Sequence, residues 1–122
     1  IPISYALYHL KRKEVQCSKL PLEEFGTLHF HAFHKDRYPC VEFARKAMEQ
    51  GGTMLACLNA ANEVAVYAFL AHQIPFLGIE KIIETCMKRH RVIENPTIED
   101  VLYADKITRE EASLLVKEMN VK

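Results

Sequence analysis

Asn59, Asn62 and Glu63 are the residues of this chain whose types and spacing are best suited to chemistry. They lie at positions i, i+3 and i+4 of a helix-forming stretch, so a helix would place them on one face. Val66 and Leu70 continue that face with apolar side chains, which predicts that the three polar groups are enclosed. Enclosed amides and carboxylates need hydrogen-bond partners. A carboxylate beside two amides can act as a general acid or base only where it borders a cleft.

A helix buried in a bundle offers no cleft by itself, so we favour a structural interpretation of this group. We predict that Asn59, Asn62 and Glu63 form a structural polar cluster. Their partners would be neighbouring backbone groups, within the bundle or across to an N-terminal arm, or a contact with a domain outside this chain. The sequence therefore predicts a brace at this position rather than a catalytic set.

His29, His31 and His34 form the pattern closest to a metal site. Residues i and i+2 of a strand point to the same side, so His29 and His31 could bind a zinc ion, and a turn would bring His34 to them. Two strand histidines are a weak motif, however, and a solvated strand edge has the same pattern. We therefore assign no metal ligand.

The four cysteines, Cys17, Cys40, Cys57 and Cys86, are widely spaced and form no CxxC pair. Three of them fall in helix-like apolar segments and are predicted to be small core residues. This usage favours a reduced compartment. The glycines match neither a phosphate-binding loop nor a dinucleotide fingerprint.

Length and charge set the class of protein. The chain has 122 residues and is 49% apolar, enough for one domain with a core and a short extension. Its 16 basic and 16 acidic residues cancel, so bulk charge does not indicate nucleic-acid binding. No apolar run reaches the roughly 18–20 uncharged residues of a membrane span. The first residue is Ile1 rather than Met, which predicts a piece cut from a longer protein.

The elements that would position these residues are mainly helical. Pro39 suits the first position of a helix, and Gly51-Gly52 would end it because glycine accepts a left-handed backbone. Thr53 would cap the next helix, which runs to about Gln73 and stops before Pro75. Because that helix is apolar nearly all round, we predict that it is the central helix of a bundle.

Two further helices follow the central one. The third helix has an apolar face made of Ile79, Ile82, Ile83, Cys86, Met87 and His90. Residues 97–100 predict a short helical turn, with Ile98, Val101 and Leu102 facing inward. Thr108 and Glu111 have the spacing of a capping box, which would start a separate last helix.

The N-terminal arm has a different character. Residues 1–9 predict a short helix, and a polar connector follows. Leu28, Phe30 and Ala32 then alternate with His29, His31 and Phe33, which is the period of a strand. A lone strand is not stable in water, so this one would need a sheet from elsewhere.

Five runs of residues occur in order along the chain: Ile1-Pro2-Ile3-Ser4-Tyr5-Ala6-Leu7, Leu28-His29-Phe30, Asp36-Arg37-Tyr38-Pro39-Cys40, Leu58-Asn59-Ala60-Ala61-Asn62-Glu63-Val64-Ala65-Val66 and Ala68-Phe69-Leu70. Together they resemble the C-terminal part of 1-deoxy-D-xylulose 5-phosphate reductoisomerase. The similarity extends from Ile1 to about Ala104, and the last helix fits in type. The Asn-Ala-Ala-Asn-Glu and Tyr-Pro-Cys runs are specific when found together at this separation.

The resemblance implies an enzyme of the non-mevalonate route to isoprenoids, which isomerises its substrate and reduces the intermediate to 2-C-methyl-D-erythritol 4-phosphate. It implies NADPH as the hydride donor and Mg²⁺ or Mn²⁺ to polarise the substrate oxygens. It also implies a homodimer in a bacterial cytoplasm or a plastid-type organelle. Each subunit would have an N-terminal Rossmann domain, a central catalytic domain and a C-terminal helical bundle.

The resemblance divides this chain into two parts. Residues 1–34 would be the tail of the central α/β catalytic domain plus a connector, and residues 35–122 the helical bundle. The NADPH turn, the acidic metal ligands and the phosphate-binding residues of the family would lie upstream of Ile1, so none of the family's functional residues is carried over. We therefore expect a structural fragment, inactive alone, whose partner is the remainder of the enzyme.

An alternative of a different class is a free-standing helical interaction module whose arm, with His29, His31 and His34, binds a metal. These histidines are not part of the family pattern, so the resemblance treats them as local variation. A zinc titration of the isolated chain would distinguish the reductoisomerase hypothesis from the interaction module. Stoichiometric zinc binding that orders the arm would favour the module.

Overall fold

The computed structural model of the protein describes residues 2–9, 11, 13, 14 and 21–120. Its chain forms two compact units, Ile1–Ala32 and Phe33–Lys122. The helices are α1 (Pro2–Leu7), α2 (Leu22–Phe25), α3 (Pro39–Gln50), α4 (Met54–Leu70), α5 (Phe76–Arg89) and α6 (Ile98–Asn120), with a 3₁₀ turn at Lys35–Arg37. All regular structure in the described residues is helical, which confirms the predicted mainly α fold class.

Residues 26–34 have no regular secondary structure, so the predicted strand is not formed in this chain. Leu28 and Phe30 are 65% and 89% exposed. A strand needs a neighbour that pairs with its backbone, and none of the described residues forms one. Pairing of this segment with a sheet outside the chain stays a prediction.

Proline and glycine set the limits of α3 and α5 as the sequence indicates. Pro39 is the first residue of α3, and Gly51 follows its last residue with a φ of 66°, where its N–H donates to the Ala47 carbonyl. Pro75 immediately precedes α5. These local signals are confirmed because they depend only on backbone geometry within a few residues.

Helix α4 is the centre of the bundle, as predicted, and it packs against α3, α5 and α6. Its buried residues are mostly small: Met54, Cys57, Ala60, Ala61, Ala65 and Ala68. Small side chains let the neighbouring helices approach closely. The opposing core side chains include Ile82, Ile83 and Cys86 of α5. No helix in the described part of the chain combines the length and apolarity needed to cross a bilayer.

Helix α6 is a single element from Ile98 to Asn120, so the prediction that a short helical turn is followed by a separate last helix is wrong. Thr97 and Asp100 cap its start reciprocally, because the Thr97 N–H donates to Asp100 Oδ2 at 2.9 Å and the Asp100 N–H donates to Thr97 Oγ1 at 3.2 Å. Thr108 lies inside the helix and is 2% exposed, rather than capping a new one. Ile98 and Leu102, predicted to face inward, are 76% and 64% exposed.

Candidate functional site

An open groove of about 380 Å³ in the helical bundle carries the two asparagines of the central helix. Asn59 and Asn62 line it together with Cys40, Ala44, Leu55, Leu58 and Ile83. Apolar side chains therefore lie next to two amide groups, each of which can donate and accept hydrogen bonds. This combination suits a partner segment that presents both apolar side chains and backbone polar groups.

The prediction that Asn59, Asn62 and Glu63 are enclosed is wrong for this chain by itself. Asn59 and Asn62 are exposed, and the Glu63 side chain is 44% exposed. Leu70, which continues their face, is 63% exposed. Polar residues on a helix face that becomes apolar further along the helix are therefore not necessarily buried by the same chain. The role of these residues as a structural polar cluster stays a prediction.

Glu63 is held by an ion-pair network that links α4 to α6. Arg109 donates from Nη2 to Glu63 Oε2 at 2.7 Å, and from Nε and Nη2 to the Asp105 carboxylate at 2.7 and 3.0 Å. Asn59 Nδ2 donates to Glu63 Oε1 over a longer 3.4 Å. Hydrogen bonds to Asp105 and Glu63 raise the pKa of Arg109, so its guanidinium stays charged. The observed partners of Glu63 are thus two side chains, Arg109 of α6 and Asn59 of α4, and not the neighbouring backbone.

Arg109 and Asp105 were not among the residues that the sequence singled out. Glu63 and Arg109 are 46 residues apart, and no pattern in a single sequence joins positions at that distance. The i,i+4 spacing of Asp105 and Arg109 was the one local sign, since such pairs face each other on a helix. Because residues 108–111 were interpreted as the start of a helix, Asp105 and Arg109 were not expected to lie on the same helix, and their pairing was missed.

A second polar junction joins the α3–α4 turn to the loop after α5. Thr53 is fully buried, and its hydroxyl oxygen accepts a hydrogen bond from the Ile93 N–H at 3.0 Å and lies 2.8 Å from His90 Nε2. The Thr53 N–H donates to the Ile93 carbonyl at 3.1 Å. The predicted capping of α4 by the Thr53 hydroxyl is therefore wrong, because that hydroxyl is engaged with another segment.

The cysteines divide between core and surface. Cys57 and Cys86 are fully buried, as predicted, whereas Cys40 is exposed and the core prediction is wrong there. Burial raises the pKa of the Cys57 thiol and raises that of Cys86 to about 12. A nucleophilic cysteine needs a lowered pKa, so this environment does not activate either thiol. Cys17 lies outside the described residues.

His29, His31 and His34 lie on irregular, exposed backbone. The strand geometry that would have put His29 and His31 on one side is absent from this segment. Within residues 2–9, 11, 13, 14 and 21–120, no group of three or more His, Cys, Asp or Glu side chains could hold a metal ion. The structure thus gives no support to the metal-binding arm of the alternative hypothesis.

The sequence profile of the DXP reductoisomerase C-terminal domain matches residues 1–111. The chain belongs to this family. The resemblance drawn from the five ordered runs is therefore confirmed. The match covers the arm, α3, α4 and α5 entirely and most of α6, so both polar junctions lie on elements that belong to the reductoisomerase domain.

Two curated reductoisomerases and one solved structure give the extent of the similarity. The 1-deoxy-D-xylulose 5-phosphate reductoisomerase of Halalkalibacterium halodurans is 44% identical over 118 residues, 96% of this chain and 31% of the relative. That of Bacillus subtilis is 47% identical over 110 residues, 89% of this chain and 29% of the relative. The enzyme from Zymomonas mobilis, solved in complex with NADPH, superposes with a TM-score of 0.78 at 34% identity over 95% of this chain and 31% of that one. This chain thus spans about three-tenths of the length of its relatives.

The Glu63–Arg109 contact gives a direct test of how this reductoisomerase domain holds α4 to α6. Arg109→Gln should lower the free energy of unfolding by about 1 kcal/mol, the upper range for a partly exposed ion pair. Lys88→Gln is the control, because the ion pair of Lys88 with Glu84, at 2.6 Å, lies within α5 and its loss should cost below about 0.5 kcal/mol. Urea unfolding followed by circular dichroism measures both, and equal losses would contradict a special role for the inter-helix network.

Proposed function

We propose that this chain is the C-terminal part of an NADPH- and divalent-metal-dependent 1-deoxy-D-xylulose 5-phosphate reductoisomerase in non-mevalonate isoprenoid biosynthesis. In that enzyme the chain is structural: its bundle packs on the catalytic domain and braces the active site without contacting substrate. The observation that carries the proposal is the family match over residues 1–111. The Zymomonas mobilis relative, solved with NADPH, supports the cofactor.

The residues that the structure describes do not fit a site for NADPH or for Mg²⁺ or Mn²⁺. Magnesium and manganese prefer clustered oxygen ligands, and no suitable group of acidic side chains occurs in the described part of the chain. Gly51-Gly52 belongs to a helix-ending turn rather than to a phosphate-binding loop. We therefore place the cofactor, the metal and the reacting groups on the remainder of the parent enzyme, and we expect this chain alone to be inactive.

The exposed apolar surface of the bundle supports a bracing role. Tyr67 and Leu70, at the end of α4, are 71% and 63% exposed, and Phe76 and Leu77, at the start of α5, are 68% and 59% exposed. Large apolar side chains exposed on both sides of one short helix–helix connection are typical of an interface. We propose the remainder of the parent enzyme as the partner that covers this surface.

The proposal has three further parts. The boundary between the catalytic-domain tail and the bundle lies between residues 34 and 35. The parent enzyme is a homodimer, and it is located in a bacterial cytoplasm or a plastid-type organelle.

A chimeric enzyme tests the proposal. The region of the Halalkalibacterium halodurans reductoisomerase that aligns with this chain is replaced by the chain itself, and NADPH oxidation is measured with 1-deoxy-D-xylulose 5-phosphate and Mg²⁺. We expect kcat/KM within about tenfold of that of the intact relative. The relative truncated before the aligned region, and this chain alone, should both be inactive. A truncated relative with full activity would contradict the bracing role.

The groove gives the chimera a sharper test. Asn59→Ala combined with Asn62→Ala should lower kcat/KM about tenfold or more, because polar groups of the catalytic domain would lose partners. Asn95→Ala is the matched control, since Asn95 is an exposed amide in the loop before α6 and should leave the rate unchanged. Full activity in the double variant would exclude the groove as part of the interface.

A further inference from the structure

The junction between Thr53, His90 and Ile93 has the geometry of a switch. Thr53 and Ile93 bond each other twice, because each backbone N–H donates to an oxygen of the other residue, at 3.1 and 3.0 Å. The Ile93 N–H occupies one lone pair of the Thr53 hydroxyl. The hydroxyl hydrogen can then be donated to His90 Nε2, which lies 2.8 Å away. That donation requires a neutral ring that carries its proton on Nδ1.

We propose that this junction is a pH-sensitive latch, which is closed while His90 is neutral and loosens when His90 is protonated, releasing the loop after α5 from the α3–α4 turn. A protonated ring carries an N–H on Nε2 as well, and that N–H faces the hydroxyl hydrogen of Thr53. The hydroxyl must rotate away and lose its acceptor, and Thr53 itself is fully buried, whereas the His90 ring is partly exposed. A buried donor without an acceptor is costly, so the closed arrangement disfavours the proton.

The charged groups around His90 come from three helices and the following loop. The cations are Lys46 of α3, Lys88 and Arg89 of α5, and Arg91 of the loop, and the carboxylates are Glu84 of α5 and Asp100 and Glu111 of α6. Each carboxylate already has a partner: Glu84 binds Lys88 at 2.6 Å, Glu111 binds Arg89 at 3.0 Å and Asp100 accepts hydrogen bonds from Thr97. A charged His90 would therefore gain little compensation from them.

The direction of the pH response follows from these surroundings. Burial lowers the pKa of His90 from its usual 6.5, and the charge of Glu111 opposes this only in part. The open junction therefore binds the proton more readily than the closed one. The latch is fully stable above pH 6.5 and loses stability as the pH falls below that value toward the lowered pKa.

Hydrogen exchange of single amides in the 122-residue chain tests the latch. We expect protection factors of the Thr53 and Ile93 amides to fall at least about fivefold between pH 7.5 and pH 5.5. The amides of Ile82 and Cys86, in the middle of α5, should stay unchanged and serve as internal controls. An unchanged protection factor at Thr53 and Ile93, or an equal fall at Ile82 and Cys86, would overturn the proposal.

His90→Gln is the matched variant, because a glutamine oxygen can accept near the position of Nε2 and does not titrate. Its Thr53 and Ile93 protection should no longer depend on pH in this range, and a fall equal to that of the native chain would overturn the proposal. If the variant does not fold, the ¹⁵N shifts of His90 in the native chain decide the matter. A ring with its proton on Nδ1 at pH 7.5 supports the latch, and a proton on Nε2 contradicts it.

Discussion

Gly52→Ala is expected to lower the free energy of unfolding by about 2–4 kcal/mol, well above an ordinary surface substitution. Gly52 has a φ of 52°, and a Cβ added there would overlap the carbonyl oxygen of Ile93. The overlapping atom is backbone, and it is held in place by the paired hydrogen bonds between Thr53 and Ile93. The clash can therefore be relieved only by breaking the junction or moving the α3–α4 turn.

Gly51→Ala is the control that separates the clash from backbone strain. Gly51 has a φ of 66°, but among the described residues no atom beyond its chain neighbours lies within 4 Å of an added Cβ. It should cost only the strain of a left-handed residue, about 1 kcal/mol. Urea unfolding of both variants, followed by circular dichroism, measures the difference. If the two variants lost the same stability, close contact between the turn and Ile93 would not explain the requirement for glycine.

Features that depend on neighbouring residues in the chain were predictable from the sequence. Pro39 starts α3, Gly51 ends it and Pro75 precedes α5, because each restricts backbone angles within a few residues. The central position of α4 was also predictable, since a helix that is apolar nearly all round is stable only when surrounded. The apolar face of α5 follows the same logic, with Ile82 as its most buried aliphatic residue.

Features that depend on distant residues were not predictable. Glu63 meets Arg109 across 46 residues and Thr53 meets Ile93 across 40, and neither contact has a periodic signature. One of the two helix-start signals in the region of α6 was also misinterpreted. Thr97 and Thr108 both precede an acidic residue by three positions, and only packing of Thr108 into the bundle decides between them.

The exposure of Asn59 and Asn62 has a different origin. A helix face that is polar in one turn and apolar in the next predicts burial, but it does not tell whether the covering surface belongs to the same chain. This chain spans 31% of its Halalkalibacterium halodurans relative, and under our proposal the remainder of the parent enzyme provides the covering surface. The prediction of enclosure is wrong for this chain by itself and becomes a proposal about the parent enzyme.

Ile82→Ala is expected to be the most destabilising core substitution, with a loss of about 3–4 kcal/mol. Ile82 is fully buried in the core that α5 forms with α4 and α6, and truncation removes three methyl or methylene carbons where no solvent can enter. Leu77→Ala on the same helix is the control, because Leu77 is 59% exposed and should cost below about 1 kcal/mol in the isolated chain. Similar losses for both would mean that α5 does not pack as described.

The same two variants separate folding from bracing when they are placed in the chimeric enzyme. Ile82→Ala should lower the thermal midpoint while the folded fraction keeps its kcat/KM, because Ile82 lies inside the bundle and cannot touch another domain. Leu77→Ala should destabilise the chimera more than the isolated chain if the exposed face of Leu77 meets the catalytic domain. The interface would then bury apolar surface that the isolated chain leaves in water. An Ile82→Ala chimera that is folded but inactive would show that the core of the bundle acts on the reaction more directly than through a brace.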